Sequence, residues 1–330
     1  MVVSDKTVFR LYGQQLLDAF KEQGVDALAY QVAAGEPSKC RENKSAIEDF
    51  MLSHKCQRDT CMVALGGGVV GDLTGYVASS YMRGVPVVQI PSSMMAMLDS
   101  SVGGKTAINV PAGKNLVGAF HQPRKVFADM DLLRTLSERE IVEGLAEAVK
   151  MGCIRCAPLF DLLESRVDDV KALAPGVIDE VVYEAVRLKA EVVALDEKET
   201  GLRSTLNFGH TIGHGIEGIA SPELLHGECV SIGCVYEAQL ARDLGELDGS
   251  AVGRIARVFK AYGLPTECPP KFLRLQQIMG KMALDKKNAG GKIKCTILKS
   301  IGDAYEFPRA VPRETLSLIH ISEPTRLSTI

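Results

Sequence analysis

A glycine run sits directly behind a short apolar segment near the middle of the first half of this chain. Cys61 to Leu65 is followed by Gly66-Gly67-Gly68-Val69-Val70-Gly71. Gly66, Gly68 and Gly71 fit G-x-G-x-x-G between a strand pattern and helix-compatible sequence. That is the context in which a dinucleotide pyrophosphate rests on a helix N-terminus. Glycine suits such a turn because a Cβ would hold phosphate away from the backbone. A tight strand-to-helix turn with no ligand explains the same residues, so the pattern does not decide by itself. Asp72 follows at once. Its carboxylate would repel a phosphate but can accept a hydrogen bond from a ribose or nicotinamide group.

The surrounding patterns alternate between strand and helix. Met1 to Ser4 reads as a strand ending at Asp5, Gln14 to Gln23 as an amphipathic helix, Ala27 to Val32 as a strand, and Asn43 to His54 as a helix. Val87 to Ile90 and Val126 to Asp129 read as further strands. Such alternation implies an α/β domain with a largely parallel sheet. After about Asp131 the character changes. Ser137-x-x-Glu140 is a capping box, and helical periods follow over Ile141–Cys153, Val177–Leu195, Thr211–Ile219, Cys229–Leu244 and Val252–Ala261. Ile293 to Leu298 suggests one more strand or hairpin. The expected organisation is therefore an α/β domain over 1–131 and a mostly helical domain over 132–316.

Both ends stand out. The abrupt opening on a strand leads us to expect native sequence upstream. Ser317 to Ile330, SLIHISEPTRLSTI, resembles translated sequencing-adaptor DNA and is expected to be a non-native tail. His320 within it is therefore given no function.

Composition narrows the class. A net charge of −3 offers no reason to expect nucleic acid. No apolar run reaches the roughly 18 residues that a membrane span requires, and no secretory signal pattern opens the chain. Nine scattered cysteines suit a reduced compartment. The cytoplasm is the expected location, with a plastid left open if an upstream segment is missing. Cys153-x-x-Cys156 lacks a thioredoxin-like context or a second pair, so structural thiols are expected. Ser101–Thr106, SVGGKT, ends like a Walker A loop, but Asp99 occupies the position of its first glycine.

Three of the six histidines cluster late: His210, His214 and His226. His210 and His214 are i, i+4 neighbours on one helix face. Thr211 stands where a zincin has glutamate. The helix behind the capping box offers Glu143, Glu147 and Lys150 on one face. A glutamate and two histidines from three segments would make a metal site with an open position, although buried, hydrogen-bonded histidines fit the spacing as well. Arg83, Lys105, Lys114, Lys150, Arg203, Lys286 and Lys287 lie beside glycines or in apolar context. Singly, each is expected at the solvated surface. As a set in a mildly acidic chain, they suggest a multiply anionic substrate.

Several long segments, in order, resemble the 3-dehydroquinate synthase family. They are GGGVVGDLTGYVASSYMRGVPVVQIPSS, LDSSVGGKTAINVPAGKNLVGAFHQP, GLAEAVKMG, GLRSTLNFGHTIGHGIE, LHGE and DKKN. The similarity is strongest to the synthase domain of the fungal-type pentafunctional shikimate-pathway polypeptide. The resemblance implies an NAD-binding α/β domain (Rossmann-like), a helical metal-binding domain and a site in the cleft between them. It implies metal ligands at Glu147, His210 and His226, with zinc or cobalt as the ion. NAD contacts are implied at Gly67, Gly68 and Asp72, with Asp5, Glu36, Lys39, Ser92 and Ser93. The family usually has two threonines where Ser92 and Ser93 keep both hydroxyls. Catalytic roles are implied for Lys105, Asn115, Lys150, Lys189, His214 and Lys286, with Lys287 competing for the last place. Substrate contacts are implied for Arg83, Asp99, Lys114, Arg203 and Asn207.

The implied reaction converts the seven-carbon keto-acid phosphate DAHP into 3-dehydroquinate and phosphate, through transient oxidation, elimination, re-reduction and aldol closure. It also implies a homodimer and leaves open a larger multifunctional polypeptide as the native setting. Three rivals remain: another sugar phosphate cyclase, an NAD-dependent alcohol dehydrogenase of related fold, and an inactive truncated fragment.

Overall fold

A computed structural model describes residues 1–283, 293–312 and Leu316. The chain divides into two units, Met1–Ile141 and Val142–Ile330.

In the first unit, β1 (Val2–Asp5), β2 (Ala29–Val32), β3 (Met62–Gly66), β4 (Val87–Pro91) and β7 (Lys125–Val126) form a parallel sheet in the order β2-β1-β3-β4-β7. The opening strand is thus internal, with Val3 paired to both Tyr30 and Ala64. Alternate residues face opposite sides of the sheet. Val3, Met62 and Ala64 pack with Ile47 and Met51 of α2 (Arg41–Ser53) and with Val70, Leu73 and Val77 of α3 (Gly68–Ser80). Val2, Val63 and Leu65 meet Leu16, Leu17 and Phe20 of α1 (Gln14–Glu22). Cover on both faces explains why these strands read as continuous apolar runs.

Two expectations change here. The strand expected over Val126–Asp129 is only Lys125–Val126. An antiparallel hairpin, β5 (Lys105–Val110) with β6 (Gly113–Phe120), stands where none was expected. Lys105 therefore opens a strand rather than the helix that follows a Walker A loop. Gly118 is required by this pairing, since a Cβ there would lie 1.9 Å from the Thr106 carbonyl oxygen.

The second unit is mainly helical. α4 (Glu138–Arg155) begins at the expected capping box: Glu140 Oε2 accepts from Ser137 N at 2.9 Å, and Ser137 Oγ accepts from Glu140 N at 3.3 Å. α5 (Ala157–Ser165), α6 (Val167–Lys171) and α7 (Val177–Leu195) follow. A 3₁₀ segment, Leu202–Asn207, leads into α8 (His210–Ala220), α9 (His226–Asp243), α10 (Gly249–Ala261) and α11 (Leu275–Ala283). β8 (Ile293–Cys295) pairs with β11 (Arg309–Val311), and β9 (Leu298–Ser300) with β10 (Asp303–Ala304). Among the described residues, no helix is long and apolar enough to cross a membrane. Lys286, Lys287 and the 317–330 segment lie outside the described residues.

Candidate active site

In the first unit the glycine turn has the expected form. Gly66 ends β3, Gly67 stands at the N-cap and Gly68 opens α3. A Cβ on Gly68 would lie 2.9 Å from Ser100 Oγ, and one on Gly71 would lie 2.8 Å from Gln89 Oε1. Ser92 N donates to Gly66 O at 3.0 Å, and Ser93 Oγ would be 3.4 Å from a Cβ on Gly67. The serine pair therefore borders the helix N-terminus.

Asp72 is not left to face an anion alone. Lys39, buried, donates to it at 2.5 Å, so the carboxylate charge is offset inside the turn. Lys39 O accepts from Asn109 N at 2.8 Å, and Asn109 Nδ2 donates to Glu36 Oε1 at 2.7 Å. Asn109 Oδ1 in turn accepts from Asn115 N at 3.0 Å. Glu36, Lys39, Asp72 and Asn115 thus share one network, organised by an asparagine that sequence reasoning passed over. Asp5 instead caps the following helical turn through Thr7 N and Val8 N. Asp99 lies in a π-helical turn, Ala96–Ser100. Arg83 is exposed in a left-handed turn with φ 68°. Lys105 and the Lys114–Asn115 pair occupy opposite ends of the hairpin.

In the second unit the structure brings the metal-ligand candidates together. Glu147 is 1% exposed on α4. Its Oε1 lies 3.4 Å from His210 Nε2 and 3.7 Å from His226 Nε2, and Lys150 Nζ pairs with Oε2. Neither carboxylate oxygen accepts a well-aligned hydrogen bond. Glu143 does not compete for this place, because its Oε2 accepts from Gly227 N at 3.0 Å.

The imidazoles form a triangle with centroid separations of 5.0, 5.4 and 5.6 Å. Their candidate ligand nitrogens all lie within 4.8 Å of one another. The His210 and His226 rings are turned alike. His210 Nδ1 donates to Phe208 O at 3.1 Å, and His226 Nδ1 faces Glu217 Oε2 at 2.9 Å. Both Nε2 atoms therefore face Glu147.

The groups of this cluster are shifted in different directions. Burial alone would lower the His226 pKa, but Glu147 and Glu217 outweigh it and push it up to about 10. His210 moves the other way, down to about 4, because burial, with Lys150 and His214 nearby, outweighs the pull of Glu147. Burial would raise Glu147, yet Lys150 and then His210 hold it well below the usual carboxylate range. A cation coordinated at about 2.0–2.2 Å by tetrahedral N and O ligands separates them by roughly 3.4 Å. The Glu147 distances match that span. His214 lies nearby but is exposed, so Glu147, His210 and His226 fit a divalent ion better than the three imidazoles alone.

The substrate candidates of this unit lie on consecutive pieces of chain. Lys189 is buried on α7, and Arg203 is 1% exposed in the 3₁₀ segment. Buried cations of this kind are rare without anionic partners. Asn207 Nδ2 donates to Glu199 Oε1 at 2.9 Å, and Glu199 holds a left-handed φ of 58°. Sequence reasoning missed Glu199. A glutamate just before Thr200-Gly201 at a helix end was the only signal. It also missed Glu237, whose Oε1 accepts from Thr211 N and Ile212 N at the start of α8.

Asp196, just beyond α7, clamps this loop. Its carboxylate accepts from Thr200 N at 2.9 Å, Gly201 N at 2.8 Å and Arg203 N at 3.0 Å. The Thr200 backbone bond first, then those from Arg203 and Gly201, outweigh desolvation and pull its pKa down to about 2. A depressed folded-state pKa stabilises above the unfolded value, and the benefit is lost as pH falls through the folded one. The clamp should hold at neutral pH and weaken between about pH 4 and pH 2. Hydrogen exchange of the Thr200, Gly201 and Arg203 amides should accelerate in Asp196→Ala at pH 7. Unchanged protection would show that the clamp is not needed.

Models of the 3-dehydroquinate synthase N-terminal and C-terminal regions match residues 29–143 and 144–288. The chain belongs to the 3-dehydroquinate synthase family. It is 49% identical over 318 residues to the pentafunctional AROM polypeptide of Scheffersomyces stipitis, covering 90% of this chain and 20% of that one. To the Komagataella phaffii counterpart it is 46% identical over 341 residues, covering 94% and 22%. The chain thus spans about a fifth of the length of these curated relatives. Among solved structures, 2-epi-5-epi-valiolone synthase of Streptomyces hygroscopicus, with NAD+ and Zn2+ bound, matches with a TM-score of 0.89 at 32% identity, covering 96% of this chain and 88% of that one. A 2-deoxy-scyllo-inosose synthase complex matches with a TM-score of 0.88 at 23% identity, covering 97% and 89%, and supports the fold alone. The expected fold, a parallel-sheet α/β unit with a mainly helical unit, is borne out.

Buried free thiols fit the expectation for Cys153. Burial pushes its pKa far above the usual thiol range, against a reactive role.

Proposed function

We propose that this chain is a 3-dehydroquinate synthase that converts DAHP into 3-dehydroquinate and phosphate, a carbon–oxygen lyase dependent on NAD and a divalent cation such as zinc or cobalt. The observation that carries this reading is the buried Glu147 carboxylate facing His210 and His226, in a chain matched along both regions of the family. The NAD- and zinc-bound state of the valiolone synthase supports the cofactor assignment. The proposed division places NAD on residues 1–131 and the metal on 132–316, in a homodimer and natively within a larger polypeptide.

When bound, NAD supplies a hydride acceptor that returns the hydride within one turnover, and a divalent cation lowers the pKa of the reacting hydroxyl. Glu147, His210 and His226 would hold the cation. Gly67, Gly68, Ser92 and Ser93 would line the NAD pyrophosphate, with Glu36, Lys39, Asp72 and Asp5 nearby. Arg83, Lys105, Lys114, Asn115, Lys150, Lys189, Arg203, Asn207 and Lys286 would bind the anionic groups of the substrate or stabilise charge that develops on elimination, and Asp99 would accept a hydrogen bond from a substrate hydroxyl. His214 is exposed beside the ligand cluster, which suits proton exchange between substrate and solvent.

A second reading, another sugar phosphate cyclase, is favoured by the 32% identity to the valiolone synthase. Asn115, Asn207 and His214 keep the dehydroquinate synthase pattern and argue against it. Turnover of DAHP should exceed that of a seven-carbon sugar phosphate by orders of magnitude. Preference for the sugar phosphate would replace the first reading with the second.

A further inference from the structure

We infer that Glu217 is a positioning residue for the metal centre, holding the His226 imidazole so that Nε2 faces the ion. The inference rests on the assignment of Glu147, His210 and His226 as ligands. Glu217 lies on α8 seven residues after His210, two helical turns along the face that also carries His214. His226 is the first residue of α9, a separate helix. Its ring is 34% exposed, so surrounding packing alone does not fix its rotation.

The ring lies between two carboxylates. Nδ1 is 2.9 Å from Glu217 Oε2, and Nε2 is 3.7 Å from Glu147 Oε1. A neutral imidazole carries one ring hydrogen, and a strong acceptor at Nδ1 keeps it there. The Nε2 lone pair is then left for a cation. The same acceptor raises the basicity of the ligand nitrogen. His210 reaches the same orientation through the Phe208 carbonyl, part of its own local backbone. No side-chain substitution deletes that anchor. The His226 anchor is a side chain from another helix and can be deleted.

The test is zinc affinity of the purified full chain, measured by competition with a chromophoric chelator, alongside the visible spectrum of the cobalt-loaded protein. Glu217→Ala should weaken zinc binding by about 10–100-fold. It should also alter the cobalt spectrum while circular dichroism stays unchanged. Glu217→Gln, which keeps an acceptor oxygen but loses the charge, should fall between. Glu217→Leu provides a second deletion of the acceptor if the alanine variant folds poorly. His226→Ala separates the two levels of inference. If it loses zinc while Glu217→Ala and Glu217→Leu bind as the parent does, the positioning role is overturned and the metal centre stands. If His226→Ala keeps parental affinity, the ligand assignment fails and this inference fails with it.

Discussion

Glu147→Ala should lose its divalent metal and reduce turnover by at least about 10²–10³-fold, the scale set by removing one strong electrostatic element from an active site. The reason lies in the surroundings of the carboxylate. Glu147 is nearly inaccessible, faces two imidazole nitrogens and pairs with Lys150, itself 2% exposed. Removing it takes away the negative charge that makes the cluster attractive to a cation. It also leaves the Lys150 ammonium buried without the carboxylate that faces it. Breaking one side of a buried pair typically costs about 3–5 kcal/mol. The variant should therefore unfold at a lower temperature as well. Glu147→Gln, close in shape, should recover part of the stability without the metal. Metal content by elemental analysis and thermal unfolding together check this outcome. Normal metal content in either variant would contradict it.

Gly233→Ala should be nearly as damaging, by a different route. Gly233 lies on α9, where an added Cβ would sit 1.9 Å from the Gly209 carbonyl oxygen and 2.8 Å from Gly213 N. Both clashing atoms are backbone, so no side chain can swing aside. Gly213 meets the same helix closely, with its Cβ position 2.8 Å from Cys229 O. The two helices that carry His210 and His226 thus touch through glycines, and one methyl group must push them apart. Overpacking usually costs about 1–3 kcal/mol, and a backbone clash belongs at or above the top of that range. Stability and zinc affinity should fall together, because the proposed ligands His210 and His226 ride on the separated helices. A parental melting temperature would show that the helix pair yields easily.

Much of this architecture was legible in the chain. The helices over 177–195, 210–220 and 249–261 carry strong periodicity, and the Ser137/Glu140 box marks the start of α4 as expected. The parallel strands announced themselves as apolar runs because both sheet faces are covered. The β5–β6 hairpin did not. β6 is largely exposed and interrupted by glycine, so it lacks a clean alternation, and its pairing is set by tertiary contact. α5, α6 and α11 were also missed, two of them lying between stronger helical segments.

The site was legible in part. Spacing offered both Glu143 and Glu147 on one helix face. Only packing shows that Glu143 is occupied by Gly227 N while Glu147 faces the histidines. The burial of Lys150, Lys189 and Arg203 was likewise invisible, since isolated cations usually remain in solvent. The partners Glu217, Glu199 and Asn109 carry no local motif. They matter through contacts that folding creates.

The most direct measurement of the central proposal is phosphate release from DAHP by the purified chain, supplied with NAD and zinc or cobalt, with and without a chelator. Phosphate release should stop with the chelator and return with added metal, with no net accumulation of NADH. Steady NADH accumulation without phosphate would contradict the proposal, as would phosphate release indifferent to the chelator.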